Sequence, residues 1–265
     1  MKIGGHLGVS LFRLISHGPE PKRSEGNGSH EPHLSGARKL ERYFGSAIWN
    51  EFAGKTVLDF GCGSGFEAVA AAHKGAEVVY GIDIRDRLLE DARILADKEG
   101  VGSHCVFLHA QRDSADIENL RGMVNFAYSL DSFEHYADPK TILDLLYGLL
   151  VPGGSLYVSF GPPWRHPRGG HMFFLCSIPW FHLIFSEQAI LTVRAQHRTD
   201  GAKSFGEVEG GLNQMTVGQF TRLIQEARFR IRELRLIPIK GLSVLTKSNA
   251  LREYFTSVVR CTLIK

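Results

Sequence analysis

Cysteine is scarce in this sequence, with four residues among 265 and no two of them close together. Cys62, Cys105, Cys176 and Cys261 form no C-x-x-C pair, so their spacing indicates neither a zinc knuckle nor a disulfide framework. We therefore expect four reduced thiols in a cytoplasmic protein.

Long hydrophobic runs and blocks of like charge are also missing. No apolar segment reaches the roughly 20 residues that span a bilayer, and the N-terminal apolar stretch is too interrupted for a secretory signal. The 31 basic and 28 acidic residues give a net charge of +3 and are dispersed along the chain. We expect no stable membrane insertion and no nucleic-acid partner.

The first 36 residues differ in composition from the rest of the chain. Residues 1–17 carry Leu7, Leu11, Leu14 and Ile15 at helical spacing, which is compatible with a segment that lies over the site or with a loose arm. Gly18–His33 contains almost no apolar side chain and many helix breakers, which predicts a flexible linker. We assign residues 1–36 to an arm and linker, and residues 37–265 to one main domain.

Strands and helices alternate along the main domain, which predicts a parallel sheet. A helix over residues 34–52 leads into the domain. The predicted strands lie at 56–60, 77–83, 105–109, 123–129 and 154–160, with helices at 65–75, 86–99 and 139–150. A helix at 216–228 and two strands at 230–238 and 254–264 follow.

The segment VLDFGCGSG, Val57–Gly65, is the strongest chemical signal in the chain. Glycines at alternate positions after a buried strand allow a ligand to approach the backbone closely. The spacing is G-x-G-x-G and not the G-x-G-x-x-G of dinucleotide binders, and Asp59 ahead of the glycines would repel a pyrophosphate. Asp83, at the end of the next strand, can bind both hydroxyls of a ribose. The ligand should therefore carry a ribose and a positive charge but no phosphate.

Together, VLDFGCGSG and the following GIDI make the sequence resemble the class I S-adenosylmethionine-dependent methyltransferases, over most of Leu40–Gly161. The resemblance implies a three-layer, Rossmann-like α/β fold. Its seven-stranded sheet would be mostly parallel and would end in an antiparallel hairpin. It also implies S-adenosyl-L-methionine as the cofactor and methyl transfer as the activity.

The same resemblance implies which residues bind the cofactor. The glycine turn would pack against the methionine part with Asp59 facing the amino group, Asp83 would hold the ribose, and Ile84 would touch the adenine. Asp113 would reach the adenine amino group and Ser114 would offer a backbone N–H, although Arg112 stands where the family has glycine. Ser129 and Leu130 would pass beside the sulfonium. The full predicted set is Asp59, Gly61, Cys62, Gly63, Gly65, Asp83, Ile84, Asp113, Ser114, Ser129 and Leu130.

Glu134 and His135 follow the fourth strand in a stretch that resembles the E-H pair of small-molecule methyltransferases. We predict that they face the acceptor, with His135 as candidate general base because imidazole titrates near neutral pH. The alternative is that the pair only caps and orients the next helix. Both interpretations remain open from the sequence.

Residues 162–215, called the insertion below, are rich in Trp, Phe, His and Pro. Because a loop of this length is usually functional or disordered, and aromatic content argues against disorder, we predict a lid or acceptor-binding segment. The spacing of His166, His171 and His182 matches no established metal-ligand pattern, so we predict no metal site.

The sequence thus favours methyl transfer to a small molecule, at a hydroxyl, by a monomer or homodimer. A lipid or glycolipid acceptor is the main alternative. A nicotinamide-dependent oxidoreductase and a catalytically silent cofactor-binding scaffold are less favoured. The sequence SLDS replaces the N-P-P-Y or D-P-P-Y tetrad of amino-methylating nucleic-acid enzymes, which argues against that class.

Overall fold

The computed structural model of the protein describes residues 2–17 and 32–265. Within these residues the strands are β1 (Thr56–Phe60), β2 (Val78–Asp83), β3 (Cys105–His109), β4 (Val124–Leu130), β5 (Leu150–Phe160), β6 (Arg230–Pro238) and β7 (Thr256–Ile264). They form one seven-stranded sheet in the order β3-β2-β1-β4-β5-β7-β6. Neighbours among the first five strands run parallel, and β7 is antiparallel to both β5 and β6. The predicted Rossmann-like α/β fold is confirmed.

Helices cover both faces of this sheet. They are α1 (Gly5–Ile15), α2 (Pro32–Phe44), α3 (Ile48–Phe52), α4 (Phe66–His73), α5 (Asp86–Lys98), α6 (Ser114–Glu118), α7 (Pro139–Leu149), α8 (Phe181–Ile184), α9 (Glu187–Arg194), α10 (Val217–Glu226) and α11 (Arg252–Phe255). Short 3-10 helices lie at Gly102–His104, Phe133–His135, Phe205–Glu207 and Leu245–Lys247. None of the helices in the described part of the chain has the length and apolar content to cross a membrane.

Central strand β1 is apolar on consecutive residues because both of its faces are covered. Val57 and Leu58 are fully buried, and Phe60 is nearly so. Such a run is typical of parallel sheets between helical layers. Burial of each side chain of this size stabilises the fold by about 1.5–3 kcal/mol, so this strand anchors the cores on both faces.

Several boundaries differ from the sequence-based prediction, two of them in the segment that leads into the sheet. The single helix expected over residues 34–52 is two helices, because Gly45 adopts a φ of 83° and ends α2. The first of these begins at Pro32, inside the segment predicted as linker, in accord with the preference for proline in a first helical turn. The rest of that predicted linker, residues 18–31, lies outside the described residues.

The insertion has a hydrophobic core of its own, completed by α1. Phe12 of α1 is fully buried, with ring centroids 5.6 Å from Phe181 and 5.0 Å from Phe185. A Cβ on Gly8 would lie 3.4 Å from Ala189, so α1 packs closely on α9. The N-terminal segment is thus a helix that packs on the insertion, where the sequence leaves open a segment over the site or a loose arm.

Candidate active site

The glycine turn between β1 and α4 has the backbone that its sequence predicts. Gly61, Gly63 and Gly65 adopt φ values of 85°, 53° and 76°, in the left-handed region that favours glycine. A Cβ on Gly65 would lie 2.8 Å from the Cβ of Ala92, and one on Gly61 would lie 2.5 Å from Oγ of Ser132. The turn is therefore closed in by α5 on one side and by the segment after β4 on the other.

Cys62 lies inside this turn and contributes through its backbone. Its N–H donates to the carbonyl of Ile82 at 3.0 Å. Burial, followed by the charges of Asp59 and Asp83, raises the pKa of the thiol well above its usual value. The side chain stays a neutral thiol and is not positioned as a nucleophile.

Asp59 is a buried carboxylate with an unsatisfied oxygen. Its side chain is 3% exposed, and its Oδ2 and the buried hydroxyl of Tyr128 face each other with no other hydrogen-bond partner. Burial raises the pKa of Asp59 well above its usual value, Glu67 raises it further, and Lys39 partly offsets both. Because buried polar groups are normally paired, these two suit a ligand with a cationic donor, such as the amino group of a methionine moiety.

Asp83 holds the end of β2 against the glycine turn. Its Oδ2 accepts the Gly63 N–H at 2.9 Å, and the two carboxylate oxygens accept Nε and Nη2 of Arg85 at 2.9 and 3.0 Å. Burial would raise the pKa of this carboxyl, but the Arg85 hydrogen bonds outweigh it and the pKa is lowered. The carboxylate is thus charged and oriented for two donors. Ile84 beside it is 64% exposed, as expected for a residue that would contact adenine.

Arg85 was not anticipated from the sequence. Its guanidinium donates two hydrogen bonds to the carboxylate of Asp83. Two ribose hydroxyls would donate to the same two oxygens. The signal was available, since a basic residue two positions after the acid can fold back onto it.

Lys39, also unanticipated, reaches from α2 toward the start of α4 and the end of β4. Its Nζ lies 3.2 Å from Glu67 and 3.1 Å from Asp131. Burial alone would lower the pKa of this lysine, but the two carboxylates outweigh it and raise the pKa. A Cβ on Gly36 would lie 2.2 Å from the carbonyl oxygen of Phe66, so α2 crosses directly over the start of α4.

Asp113 and Ser114 lie in the turn that follows β3 and at the start of α6. The Oδ2 of Asp113 accepts the N–H of His109 at 2.7 Å, and His109 is the register partner of Asp83. Ser114 is the exposed first residue of α6. The structure therefore brings the three predicted strand-end positions to one edge of the sheet, with one oxygen of Asp113 used by its own turn.

Ser129 and Leu130 end β4, and both are buried. The hydroxyl of Ser129 lies 2.8 Å from that of Tyr136, which in turn donates to the carbonyl of Phe60 at 3.0 Å. Tyr136, which the sequence did not single out, thus ties the ends of β1 and β4 together. Ser129 would face a cofactor with its backbone rather than with a free hydroxyl.

Glu134 and His135 lie in the 3-10 helix that follows. Glu134 is 2% exposed: its Oε1 accepts the N–H of Gly161 at 3.1 Å, and its Oε2 has no partner. Burial raises the pKa of this carboxyl to about 8. The Nδ1 of His135 lies 2.7 Å from the carbonyl oxygen of Gly211, a residue of the insertion. The cap of α7 is supplied instead by Asp138, whose side chain accepts from the first-turn N–H groups.

A cavity of about 300 Å³ opens beside His135, between the 131–136 segment and the insertion. His171, Phe174 and Arg198 line it, and the Arg198 guanidinium lies 4.3 Å from the centroid of the Phe174 ring. Arg194, also in the wall, is neutralised by two hydrogen bonds of 2.6 Å to Asp200. Apart from His135, every residue that lines this pocket belongs to the insertion.

Asn213 fastens the returning end of the insertion to that segment. Its Nδ2 donates to the carbonyls of Phe133 and Tyr136 at 2.7 and 2.8 Å, and its backbone N–H donates to that of Glu134 at 2.8 Å. Two other insertion histidines are structural in their contacts: His166 accepts a backbone N–H at 3.0 Å, and fully buried His182 contacts the carbonyl of Trp164 at 2.6 Å.

Known proteins resemble this chain in sequence. A family model described as a methyltransferase domain matches residues 34–233. The ubiquinone biosynthesis O-methyltransferase of Pseudomonas paraeruginosa is 29% identical over 154 residues, covering 58% of this chain and 62% of that protein. The ribosomal protein L11 methyltransferase of Photobacterium profundum is 33% identical over 110 residues, covering 41% and 34%. The chain thus spans less than two thirds of the length of these relatives.

Solved structures resemble it in fold. An S-adenosylmethionine-dependent methyltransferase from Mesorhizobium loti has a TM-score of 0.52 at 17% identity, covering 81% of this chain and 93% of that one. The geranyl diphosphate C-methyltransferase of Streptomyces coelicolor, crystallised with S-adenosyl-L-homocysteine, has a TM-score of 0.53 at 16% identity, covering 94% and 90%. With its family model, its sheet order and its glycine turn in agreement, the chain belongs to the methyltransferase-domain family.

Proposed function

We propose that the protein transfers a methyl group from S-adenosylmethionine to a hydroxyl oxygen of a small molecule bound in the cavity beside His135. The observation that carries this proposal is the position of that imidazole, at the junction of the cavity and the segment that borders the glycine turn. The similarity to a ubiquinone biosynthesis O-methyltransferase supports the same class of acceptor.

The residues proposed to bind the cofactor contribute to catalysis by positioning it. Asp83 would bind the ribose once Arg85 turns away, and Asp59 with Tyr128 would receive the amino end. S-adenosylmethionine supplies a methyl group on a cationic sulfur, which is already activated for transfer. Holding the reacting atoms in line can supply about 7–11 kcal/mol of rate acceleration, so placement is the main task of the protein.

His135 is the candidate base. A carbonyl oxygen can only accept, so the Nδ1 of His135 carries the hydrogen toward Gly211, and Nε2 keeps a free lone pair. As the acceptor oxygen bonds to the methyl carbon, the carbon–sulfur bond breaks with its electron pair on sulfur. The hydroxyl proton passes to Nε2 of His135.

The test is a search for the methylated product. Fractionated extracts would be incubated with the enzyme and isotopically labelled cofactor, and the product identified by mass spectrometry. We expect an O-linked methyl group, and we expect His135→Ala to lower turnover at least tenfold while cofactor affinity changes little. His197→Ala, which changes a histidine of the insertion outside the cavity wall, is the matched control. An N- or C-methylated product would contradict the proposal, and binding of S-adenosylhomocysteine without any turnover would favour a silent scaffold.

A lipid-like acceptor is a second candidate, favoured by one observation on α1. Leu7, Leu11 and Leu14 are 66%, 38% and 81% exposed, although Phe12 on the opposite face is buried against the insertion. Apolar residues in a row on an exposed helix face are typical of helices that lie on a membrane surface. Cosedimentation with anionic lipid vesicles should fall in a Leu7→Gln/Leu14→Gln variant. It should persist in Val244→Gln, which changes an equally exposed residue elsewhere. Equal sedimentation of both variants would remove this candidate.

A further inference from the structure

Three potential metal ligands from separate parts of the chain meet at the acceptor cavity. One ligand atom from each of Glu134, His135 and His171 lies within 4.8 Å of the other two. The first two belong to the 3-10 helix after β4, and the third belongs to the insertion. We propose that these three side chains bind a divalent transition-metal cation, which holds the acceptor hydroxyl.

The two imidazoles are oriented as metal-binding histidines are. The Nδ1 of His135 faces the carbonyl of Gly211 at 2.7 Å, and the Nε2 of His171 faces that of Pro162 at 2.9 Å. Because carbonyl oxygens only accept, each of these nitrogens carries its ring hydrogen. The lone pairs are therefore left on Nε2 of His135 and Nδ1 of His171. A ring N–H fixed on a backbone carbonyl is the usual outer support of a metal-bound histidine.

Glu134 supplies an independent observation. Only 2% of this residue is exposed. Its Oε1 accepts the N–H of Gly161, and its Oε2 has no hydrogen-bond partner. A buried carboxylate oxygen without a partner is costly, and such groups in folded proteins are normally paired or bound to a cation. A cation at the cluster would satisfy this oxygen.

Charges around the cluster permit a cation. The nearby cations Lys39 and Arg194 are paired with carboxylates, Lys39 with Glu67 and Asp131 and Arg194 with Asp200. Asp131 is close enough to influence both Glu134 and His171 electrostatically, and it adds negative charge on the same side. The remaining basic group of the cavity wall, Arg198, is stacked on Phe174.

The donor set indicates the kind of ion. Two imidazole nitrogens and one carboxylate oxygen favour Mn²⁺, Fe²⁺, Co²⁺ or Zn²⁺ over Mg²⁺ and Ca²⁺, which prefer oxygen ligands. Three protein ligands leave coordination positions that face the cavity. This inference rests on the proposed function in one respect. A hydroxyl oxygen bound there would lose its proton to water more readily, because the cation stabilises the oxygen anion. His135 would then act as a ligand rather than as the base.

This proposal departs from the prediction that the chain binds no metal. That prediction followed from the spacing of the insertion histidines alone, which form no ligand pattern among themselves. The fold instead pairs one of them, His171, with two residues from the end of β4.

The experiment measures metal binding without any acceptor. Protein freed of metal by chelator and dialysis would be titrated calorimetrically with Zn²⁺ and Mn²⁺, and with Co²⁺ while its visible absorption is recorded. We expect one equivalent to bind to the wild type, with cobalt bands typical of mixed nitrogen and oxygen ligation. Glu134→Gln and His171→Asn should each weaken binding about 100-fold. Asparagine is chosen because it tolerates the φ of 54° at this position.

The controls separate this proposal from the proposed function. His197→Ala should bind metal like the wild type, and all three variants should bind S-adenosylhomocysteine normally if they are folded. Equal metal affinity of wild type and His171→Asn, or no binding by the wild type, would overturn the metal site. Methyl transfer that persists in chelator would also overturn the metal's role while leaving the methyltransferase proposal and His135 as base intact.

Discussion

Removal of the Asp83 carboxylate should weaken cofactor binding by a predictable amount. Each hydrogen bond from a ribose hydroxyl to a carboxylate contributes about 1.5–3 kcal/mol, so two contribute about 3–6 kcal/mol. In the free protein the same oxygens bind Arg85, whose side chain is 55% exposed. Displacing an ion pair whose guanidinium is largely exposed costs about 1 kcal/mol. The net loss in Asp83→Ala is therefore about 2–5 kcal/mol, or about 30-fold to 4,000-fold in the dissociation constant.

The assay is titration calorimetry with S-adenosyl-L-homocysteine. Asp83→Asn keeps an acceptor for the Gly63 N–H and separates the loss of charge from any loosening of the turn. Asp91→Ala, an exposed acidic residue on α5, is the matched control and should bind like the wild type. A dissociation constant for folded Asp83→Ala within about threefold of the wild-type value would refute the ribose assignment.

Three further predictions concern the same structure. Arg85→Gln should tighten S-adenosylhomocysteine binding up to about fivefold by calorimetry, because the ribose no longer displaces a guanidinium; weaker binding would mean that Arg85 contacts the cofactor. Gly65→Ala should lower the urea-derived free energy of unfolding by about 2–4 kcal/mol, given its φ of 76° and a 2.8 Å clash; an unchanged value would contradict the required left-handed turn. Burial lowers the pKa of His182 to about 4, so between about pH 6.5 and pH 4 only the unfolded chain is protonated there, and stability falls as the pH falls. Over that pH window, the free energy of unfolding of His182→Gln, measured by urea unfolding, should fall by up to about 3 kcal/mol less than that of the wild type. An identical pH dependence of the two proteins would exclude this histidine as the cause.

The sheet could be predicted from the sequence because its parallel strands are continuous apolar runs separated by helical patterns and glycine turns. The boundary between α2 and α3 could not, since the apolar stripe continues past Gly45 and only the backbone conformation of that glycine shows the break. Strand β5 was also misplaced at its start. The sequence predicts a Pro-Gly-Gly turn before a strand at residue 154, but in the structure these residues belong to the strand, which begins at Leu150.

The site divides in the same way. Asp59, Asp83 and the glycines can be proposed from the sequence because each stands next to a buried strand and its expected chemical role depends on local sequence. Arg85, Lys39 and Tyr136 were missed because their positions depend on which way a long side chain folds or on a helix that crosses from elsewhere. The meeting of His171 with His135 depends on the path of the whole insertion, which no local pattern encodes.

The 131–136 segment is a thin partition between the glycine turn and the insertion. Ser132 and Tyr136 border Gly61 on one side, while Asn213 and Gly211 bind Glu134, Tyr136 and His135 on the other. A change that reshapes this partition for a new acceptor would also disturb the cofactor turn. Diversification of acceptor choice should therefore accumulate in the outer wall formed by the insertion, where side chains can vary without a penalty in cofactor affinity.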